Sequence, residues 1–360
     1  MSAPRIPTAV LGAGGYVGQQ FVRQLADHPW FAPTVLVSGD RTEGKPLEEV
    51  WHLSEAPPAE IAARRLERRG PAAIARSGVR VAFSALPSGT AGPIESELVR
   101  RGVSVFTNAA DHRMDPTVPL LVPEVNSGHL ALVGRPRAGR GILVANPNCS
   151  AAGLVVGLAP VVPILRPRAV HVTTYQALSG AGYPGVSGLS ITDNVIPYIA
   201  REEEKIAEET ARILGVRRSR RIVPWKVPVL AHCARVATRE GHLEAVTVEA
   251  TRSPELAAIR RAWTEYDPLA GRPLPTAPHP PIVVRTERDR PQPLRDRWAG
   301  HPPRARGMAV TIGRVRWDPP YLRFFLLSHN AVRGAAGASI LNAERAAVDA
   351  LLPGVPEVPS

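Results

Sequence analysis

A turn built from closely spaced glycines follows the first apolar segment of the chain. The residues "IPTAVLGAGGYVG" place Gly12, Gly15 and Gly18 three positions apart, between a strand-like segment at 6–11 and a segment with helical periodicity. Glycines in such a turn let backbone N–H groups approach a pyrophosphate at a helix N-terminus. The turn therefore predicts a dinucleotide-binding βαβ unit, with a purely structural turn as the alternative.

Strand-like and helix-like segments continue to alternate after this turn. Three further apolar segments follow, at 34–39, 79–86 and 104–108. Strands that alternate with helices are typical of an α/β protein with a doubly wound parallel sheet. The N-terminal part is therefore predicted to be Rossmann-like.

The pattern changes after residue 148, where longer strand-like segments follow. The chain has 360 residues, which is long for one hydrophobic core. We expect a dinucleotide-binding domain at 1–148, completed by a C-terminal helix at 335–360. A second domain, of α+β type, is expected at 149–334.

Two strand-like segments of the second domain, "VLAHCARVA" and "HLEAVTVEA", are joined by "TREG". This spacing predicts a hairpin in which Arg235 lies opposite Glu244 and Ala237 opposite His242. Arg235 and His242 would then be diagonal neighbours, roughly 7 to 8 Å apart at the backbone. A guanidinium could hold a carboxylate while the imidazole acts on the same substrate. A surface hairpin with ordinary polar residues is the alternative.

A long periodic segment at 194–215 predicts a helix that carries Glu202 and Lys205 on one face. Such pairs are usually solvated, but Lys205 is one of only three lysines in an arginine-rich chain, which favours a specific role for its ammonium. Residues 268–306, rich in proline and arginine, are predicted to be irregular.

The composition argues against several classes of protein. The net charge of +12 comes almost entirely from scattered arginines, and no zinc finger or RNP motif accompanies them, so we expect no nucleic-acid partner. No apolar run approaches the roughly 18 to 20 residues that span a membrane, and no signal-peptide pattern is present. Two cysteines are too few for a disulfide framework. We expect a cytoplasmic protein without a membrane partner or a metal site.

One of the two cysteines stands in the stretch "NPNCSAAGL", before small and apolar residues that predict a helix. The first turn of a helix lowers the pKa of a thiol and raises its thiolate fraction, which suits Cys149 to a nucleophilic role. A small buried thiol with a packing role is the alternative. Cys233 is the rival nucleophile, but it lies in a strand segment and is interpreted as structural.

The segment after the second predicted strand, "SGDRTEGK", bears on the choice of dinucleotide. Ser38, Arg41 and Thr42 suit the 2′-phosphate of NADP, whereas NAD sites favour a carboxylate. The adjacent Asp40 keeps NAD open as the alternative. The segment favours NADP.

Taken together, these stretches resemble one family. The sequence is similar to aspartate-semialdehyde dehydrogenases of the archaeal and fungal type, in the family's order from residue 9 to 344. "NPNCS" and "SGAGYPGV" are highly specific, whereas "RVAT" departs from the usual "RVPV". The other matching stretches are "GAGGYVGQQFVRQLADHP", "SALPSG", "RMDPTVPLLVPEVN", "EEEKIAEETARILG", "RPQP" and "SHNAVRGAAGASILNAE".

The resemblance implies an activity and an assembly. Such enzymes use NADPH to reduce L-aspartyl 4-phosphate to L-aspartate 4-semialdehyde, reversibly, through an enzyme thioester. The second domain would then also serve dimerisation, in a homodimer or homotetramer.

The resemblance also implies roles for individual residues. Cys149 would form the thioester, His242 would be the general acid/base and Gln176 would orient the intermediate. The substrate contacts would be Arg235 to the α-carboxylate, Glu202 to the α-ammonium, and Arg113, Lys205 and Asn148 to the phosphate. The NADP contacts would be Gly12, Gly14, Gly15, Tyr16, Val17, Gly18, Ser38, Arg41, Thr42, Ser88, Ser179, Gly180 and Asn330.

Three other functions compete with this interpretation. The first is a related reductase that acts on N-acetylglutamyl phosphate or malonyl-CoA. Neither of these substrates has a free α-amino group, whereas Glu202 and Arg235 together fit a substrate that carries both an ammonium and a carboxylate. A cysteine hydrolase with a Cys149–His242 pair would need no dinucleotide turn. A basic nucleic-acid-binding protein would need neither the pair nor the turn.

Overall fold

The computed structural model describes residues 5–134, 137–272 and 274–352, so the predicted C-terminal helix to residue 360 extends outside the described residues. Within them, two main sheets with their helices form an α/β fold, which confirms the predicted fold class.

The first sheet is entirely parallel, with the strand order β2-β1-β3-β4-β5. Most of its strand residues are buried, as expected for a sheet covered by helices on both faces. This confirms the Rossmann-like doubly wound sheet. Its strands are β1 (Ile6–Leu11), β2 (Phe31–Val37), β3 (Val81–Ser84), β4 (Ser104–Thr107) and β5 (Leu143–Ala145).

The helices along this part of the chain are mostly short. They are α1 (Tyr16–Leu25), α2 (Ala59–Ala62), α3 (Pro71–Arg76), α4 (Ala91–Arg100) and α5 (Pro123–Asn126), with 3-10 turns at Leu47–Val50 and Ser127–Val133. The last helix of the described residues, α12 (Ala336–Val348), packs against α1 and β4 and so covers the sheet that contains β1.

The second sheet has the order β11-β12-β13-β10-β6-β9 and mixed strand directions. Its strands are β6 (Pro167–Gln176), β9 (Val229–Arg235), β10 (His242–Ala250), β11 (Ile282–Val284), β12 (Val310–Asp318) and β13 (Tyr321–Ser328); β7 (Val216–Arg218) and β8 (Arg221–Val223) form a separate hairpin. Its helices are α6 (Cys149–Leu158), α7 (Val162–Leu165), α8 (Gly188–Ile191), α9 (Glu202–Ile213), α10 (Leu256–Thr264) and α11 (Pro293–Asp296), with 3-10 turns at Leu178–Ala181 and Pro303–Ala305.

The predicted hairpin between β9 and β10 is wrong. β6 lies between them, parallel to β9 and antiparallel to β10. The connecting segment crosses the end of β6 instead of turning tightly: Val236 N–H donates to Gln176 O at 3.0 Å, and Leu178 N–H donates to Thr238 O at 2.7 Å. Arg235 and His242 are therefore not diagonal neighbours on adjacent strands.

The helix predicted from residue 194 begins only at Glu202. Ile196 instead forms an isolated antiparallel bridge with Arg235, with backbone hydrogen bonds of 2.8 and 3.1 Å. Arg201, just before the helix, has a φ of 57°, which turns the chain into α9. The same pairing that shortens the helix fixes the backbone of Arg235.

The segment at 268–306 is not irregular throughout. β11 pairs in parallel with β12 and extends the second sheet at its edge.

Among the described residues, no helix combines the length and apolar character needed to cross a membrane.

Candidate active site

Cys149 is the first residue of α6, where the chain leaves the carboxyl end of β5. The side chain of Asn148 caps this helix by accepting hydrogen bonds from Ser150 N (2.9 Å) and Ala151 N (3.2 Å). The capping holds the thiol of Cys149 at the helix N-terminus, as the sequence predicts.

His242, the first residue of β10, contacts this thiol. Its Nε2 lies 3.1 Å from Cys149 Sγ, and the Ala177 N–H donates to its Nδ1 at 3.1 Å. Because Nδ1 accepts, the proton of the neutral ring belongs on Nε2, directed at the sulfur. The ring is thus oriented with a transferable proton beside the thiol.

Burial controls the protonation of both groups. It raises the pKa of the Cys149 thiol to about 12, with a further contribution from the charge of Glu202, and the guanidinium groups of Arg113 and Arg235 only partly oppose this. Burial also lowers the pKa of His242 to about 3. The backbone N–H of Ser150, in the first turn of α6, lowers the pKa of the thiol as expected, but burial outweighs this contribution. The resting pair is a neutral thiol and a neutral imidazole.

Arg235, Gln176 and His242 converge although they lie on three strands. Gln176 is the register partner of Arg235 in the β6–β9 pair, and Arg235 Nη1 donates to Ala177 O at 2.7 Å. A Cβ placed on Gly180 would lie 2.8 Å from Arg235 Nη1 and 3.2 Å from His242 Cε1. A side chain at position 180 would therefore displace the Arg235 guanidinium and crowd the His242 ring.

Glu202, at the start of α9, is buried and held by two side-chain amides. Asn148 Nδ2 donates to its Oε1 at 2.8 Å and Gln176 Nε2 donates to the same oxygen at 2.9 Å. These donors stabilise the charged carboxylate of Glu202, and its negative charge contributes to the raised pKa of the Cys149 thiol. Lys205 lies one turn further along α9 and is half-buried.

Glu209 is a site residue that the sequence reasoning missed. Its carboxylate accepts from Arg113 Nη1 at 2.9 Å and from Asn148 N at 2.5 Å. Arg113 also donates to Asn108 O at 2.6 Å. Glu209 therefore anchors Arg113 to the residue before the nucleophile. Its position seven residues after Glu202, on the inner face of α9, was the available signal.

The glycine turn forms a cradle that side chains would fill. Gly12 has a φ of 79°, a Cβ there would lie 2.7 Å from Ala85 O, and a Cβ on Gly18 would lie 2.0 Å from Gly12 O. Gly15 is the N-cap of α1, and Tyr16 and Val17 open that helix. The turn leaves the backbone at the helix N-terminus open to an anionic ligand, so these residues fit a dinucleotide pyrophosphate.

The end of β2 borders a cavity of about 280 Å³ lined by Val37, Ser38, Arg68, Leu86 and Ile94, among others. Arg41 is exposed on the adjoining loop. Arg68, which the sequence reasoning missed, forms an exposed ion pair with Asp40 at 2.8 Å, which partly offsets the carboxylate charge that would favour NAD. An apolar wall with arginines at its rim suits an adenosine 2′-phosphate.

The remaining predicted cofactor contacts lie on loops around these elements. The hydroxyl of Thr42 lies 2.8 Å from where a Cβ on Gly14 would be. Ser88 Oγ accepts from Ala110 N at 2.9 Å. Asn330 connects two loops, because its Nδ2 donates to Ser179 Oγ at 2.8 Å and its Oδ1 accepts from Gly241 N at 2.8 Å.

A buried polar contact that the sequence did not indicate connects the glycine turn to the segment before β10. The Tyr16 hydroxyl, beside the glycine turn, donates to the carboxylate of Glu240, two residues before His242. Arg297 Nε and His329 Nε2 each lie 3.6 Å from the same carboxylate.

The described residues contain no cluster of His, Cys, Asp and Glu suited to a metal ion.

Two family models match the chain. Residues 7–133 match the model described as semialdehyde dehydrogenase, NAD binding domain. Residues 158–333 match the model described as semialdehyde dehydrogenase, dimerisation domain.

Individual proteins are similar over nearly the whole chain. The aspartate-semialdehyde dehydrogenase of Archaeoglobus fulgidus is 44% identical, over 94% of this chain and 97% of its own. The malonyl CoA reductase (NADP) of Metallosphaera sedula is 38% identical, over 94% and 96%. A crystal structure of aspartate semialdehyde dehydrogenase with NADP from Candida albicans gives a TM-score of 0.86 at 33% identity, over 97% of this chain and 100% of that one.

Proposed function

Because the chain belongs to the aspartate-semialdehyde dehydrogenase family, we propose that it is an NADP-dependent enzyme of aspartate-family amino-acid biosynthesis. It converts L-aspartyl 4-phosphate to L-aspartate 4-semialdehyde, reversibly, with release of phosphate. The observation that carries this proposal is the position of the Cys149–His242 pair, which shares its pocket with Arg235 and Glu202.

The pocket matches the two charged ends of an amino acid. Arg235 has one nitrogen engaged by Ala177 O, and the rest of its guanidinium is available to a carboxylate. Glu202 offers a buried negative charge to the α-ammonium. An acyl group without a free amine would leave that charge unmatched, at a cost of several kcal/mol for a buried ion. The pocket therefore favours aspartyl phosphate over malonyl-CoA or N-acetylglutamyl phosphate.

The chain's own residues account for the acyl transfer. Cys149 Sγ attacks the acyl carbon, the carbon–oxygen bond to phosphate breaks, and an enzyme thioester forms. Arg113, Lys205 and Asn148 bind the departing phosphate, and Glu209 keeps Arg113 beside the nucleophile. The thiol passes its proton to the departing phosphate as it attacks, because its pKa of about 12 leaves little thiolate beforehand and His242 Nε2 already carries a proton.

The reductive half of the reaction needs a hydride and a proton. NADPH, held by the glycine turn, Ser38, Arg41, Thr42, Ser88, Ser179, Gly180 and Asn330, supplies the hydride when bound. Gln176 orients the thioester carbonyl, and His242 Nε2 gives its proton to the carbonyl oxygen as the hydride reaches the carbon. The ring takes this proton back when the carbon–sulfur bond breaks, which releases the semialdehyde and leaves a Cys149 thiolate that takes up a proton from the medium. In the reverse direction Nε2 protonates the oxygen as Cys149 adds to the aldehyde and recovers the proton as the hydride leaves.

The assembly and location follow from the same assignment. We propose a homodimer formed through the part of the chain that matches the dimerisation model, with a homotetramer as a larger assembly that mass measurement in solution would detect. The division into a cofactor domain at 1–148 with the C-terminal helix and a catalytic domain at 149–334 is likewise a proposal. A nucleophilic thiol requires reducing conditions, and both described cysteines are free, which supports a cytoplasmic location.

The decisive experiment is phosphate-dependent reduction of NADP with L-aspartate 4-semialdehyde. N-acetylglutamate semialdehyde with phosphate, and malonate semialdehyde with coenzyme A, serve as the competing substrates. We expect the aspartate compound to be preferred by at least about 100-fold in kcat/KM, because only it satisfies both Arg235 and Glu202. Preference for either competitor would contradict the proposal.

A further inference from the structure

A second buried carboxyl lies close to Glu202. Glu244 is two residues after His242 on β10, on the same face of the strand. Its side chain is 0% exposed, and neither of its carboxyl oxygens has a hydrogen-bond partner among the described residues. An ionised carboxylate in such a place is strongly destabilised, because no donor among the described residues compensates its charge.

Within the described part of the chain, the groups packed around Glu244 include no cation. Its register partners are Thr174 on β6 and Leu326 on β13, and Cys233 lies beyond Thr174 on β9. His242, on the same face, is neutral because burial lowers its pKa to about 3. From α6, the titratable group beside β10 is Cys149, whose thiol contacts that histidine.

The group that acts on Glu244 from α9 is itself an anion. Glu202 accepts hydrogen bonds from Asn148 and Gln176, and Gln176 Nε2 also lies 3.3 Å from Thr174 Oγ1, beside Glu244. The two carboxyls therefore share one polar layer but have opposite surroundings. Glu202 has donors that stabilise a charge, and Glu244 has none among the described residues.

We propose that Glu244 is held as a neutral carboxylic acid, so that the two carboxyls together carry one negative charge, located on Glu202. The inference rests on the proposed function, in which a single negative charge matches the single ammonium of the substrate. A second anion would also oppose loss of the Cys149 proton during attack. Glu244 is thus a positioning residue: by staying neutral it leaves the single negative charge on Glu202, and it does not itself touch the substrate.

The protonation of Glu244 makes a prediction about stability. Burial, and then the charge of Glu202, raise the pKa of Glu244 well above its ordinary value. The folded chain then keeps a proton that the unfolded chain releases above about pH 4.5, so this group lowers stability as pH rises toward its folded pKa. Replacing it with a neutral side chain removes the loss.

The first test compares Glu244→Gln with the unmodified chain by thermal unfolding between pH 5 and pH 8. The Tm advantage of Glu244→Gln should grow with pH, corresponding to about tenfold per pH unit in the unfolding equilibrium. In a Glu202→Gln background the growth should stop at a lower pH, because the neighbouring charge is gone. Glu249→Gln is the matched control, on the same strand but the opposite face, and it should show no such trend.

The second test measures charge at the thiol. In a Cys233→Ser background, iodoacetamide alkylates Cys149 at a rate that follows its thiolate fraction. At pH 7, Glu202→Gln should increase the rate several-fold by removing a negative charge, whereas Glu244→Gln should leave it unchanged because the acid is already neutral. Neither test uses substrate or NADP, so both are independent of the proposed function.

Two results would overturn the inference: a Tm difference between Glu244→Gln and the unmodified chain that is constant with pH, or an alkylation rate that Glu244→Gln raises as much as Glu202→Gln does. If Glu244→Gln does not fold, Glu244→Met takes its place as an apolar side chain of similar length.

Discussion

The Sγ of Cys149 and the Nε2 of His242 lie 3.1 Å apart, and a separate element holds each residue in place. The cap of α6 fixes the cysteine, and the Ala177 N–H fixes the ring of the histidine. An imidazolium would place an Nδ1 proton against that N–H, which is consistent with the lowered pKa of His242. The geometry therefore favours a ring that gives its Nε2 proton to the substrate over a permanent ion pair with the thiolate.

Cys149→Ser should abolish turnover, with a loss of at least about a thousandfold in kcat, because a hydroxyl lacks the nucleophilicity of sulfur. NADP affinity should stay within a few-fold, since the glycine turn is untouched. Cys233→Ser is the matched control and should keep most activity, because Cys233 is buried on β9. Steady-state rates and NADP titrations check both variants. The reverse pattern would make Cys233 the nucleophile.

Much of the part of the chain that forms the first sheet, and the start of α6, could be predicted from the sequence because the signals there are local. Closely spaced glycines after an apolar strand specify both the turn and the helix that follows. A cysteine after Pro-Asn, before small residues, likewise indicates a helix start with an asparagine cap. Both features depend on residues adjacent in the chain.

The second sheet was less predictable, because its strand order depends on pairing between segments that are far apart in the sequence. The pair β9 and β10 has the spacing of a hairpin, yet β6 inserts between them through pairing on both of its edges. The helix expected from 194 is shortened by the bridge between Ile196 and Arg235. Arg68 and Glu240 act through partners far away in sequence, so no local pattern marks them. Glu209 is marked only by its place on the inner face of α9, seven residues after Glu202.

Arg41→Glu should weaken NADP binding much more than NAD binding, because a carboxylate would face the 2′-phosphate. Arg68→Glu should do the same and should also leave Asp40 without its ion-pair partner. Arg252→Glu, an exposed arginine just after β10, is the control for the change in net charge. Binding titrations with both cofactors distinguish the cases. Equal losses for NAD and NADP would remove the reason for assigning NADP to these residues.

Glu240→Gln should destabilise the fold by roughly 2 to 4 kcal/mol near neutral pH. Burial opposes the charge of Glu240, but His329, Tyr16 and Arg297 outweigh it and lower the pKa to about 2. A lowered pKa stabilises the fold above about pH 4.5, and the stabilisation is lost as pH falls toward 2. The difference between Glu240→Gln and the unmodified chain should therefore shrink over that range.

Denaturant unfolding at pH 7, 4 and 3 measures this dependence. Tyr16→Phe should show part of the loss at pH 7, since it removes one donor to the carboxylate. Glu55→Gln is the control, because its side chain is 47% exposed. A loss in Glu240→Gln that stays constant between pH 7 and pH 3 would show that the side chain contributes by packing alone.

Arg235→Lys should cost roughly 1.5 to 3 kcal/mol in kcat/KM for L-aspartate 4-semialdehyde. Lysine keeps the charge, but it cannot bind Ala177 O and hold a carboxylate with two parallel hydrogen bonds at once. The apparent affinity for phosphate should change little. Kinetics with the semialdehyde varied at saturating phosphate check this prediction. Unchanged semialdehyde kinetics would show that Arg235 only supports the 178–181 turn.

Lys205→Ala should have the opposite selectivity, because we assign its ammonium to the phosphate end of the same substrate. The apparent KM for phosphate should rise about tenfold or more, whereas the KM for the semialdehyde should change only slightly. Alanine is a good helix former, so α9 should stay folded and Glu202 should keep its amide donors. Varying phosphate at saturating semialdehyde measures the effect, and a Tm within about 2 °C of the unmodified chain shows that the helix is intact. If Lys205→Ala instead raises the KM of the semialdehyde alone, the Lys205 side chain contacts the amino-acid end of the substrate. The phosphate site then consists of Arg113 and Asn148 without Lys205.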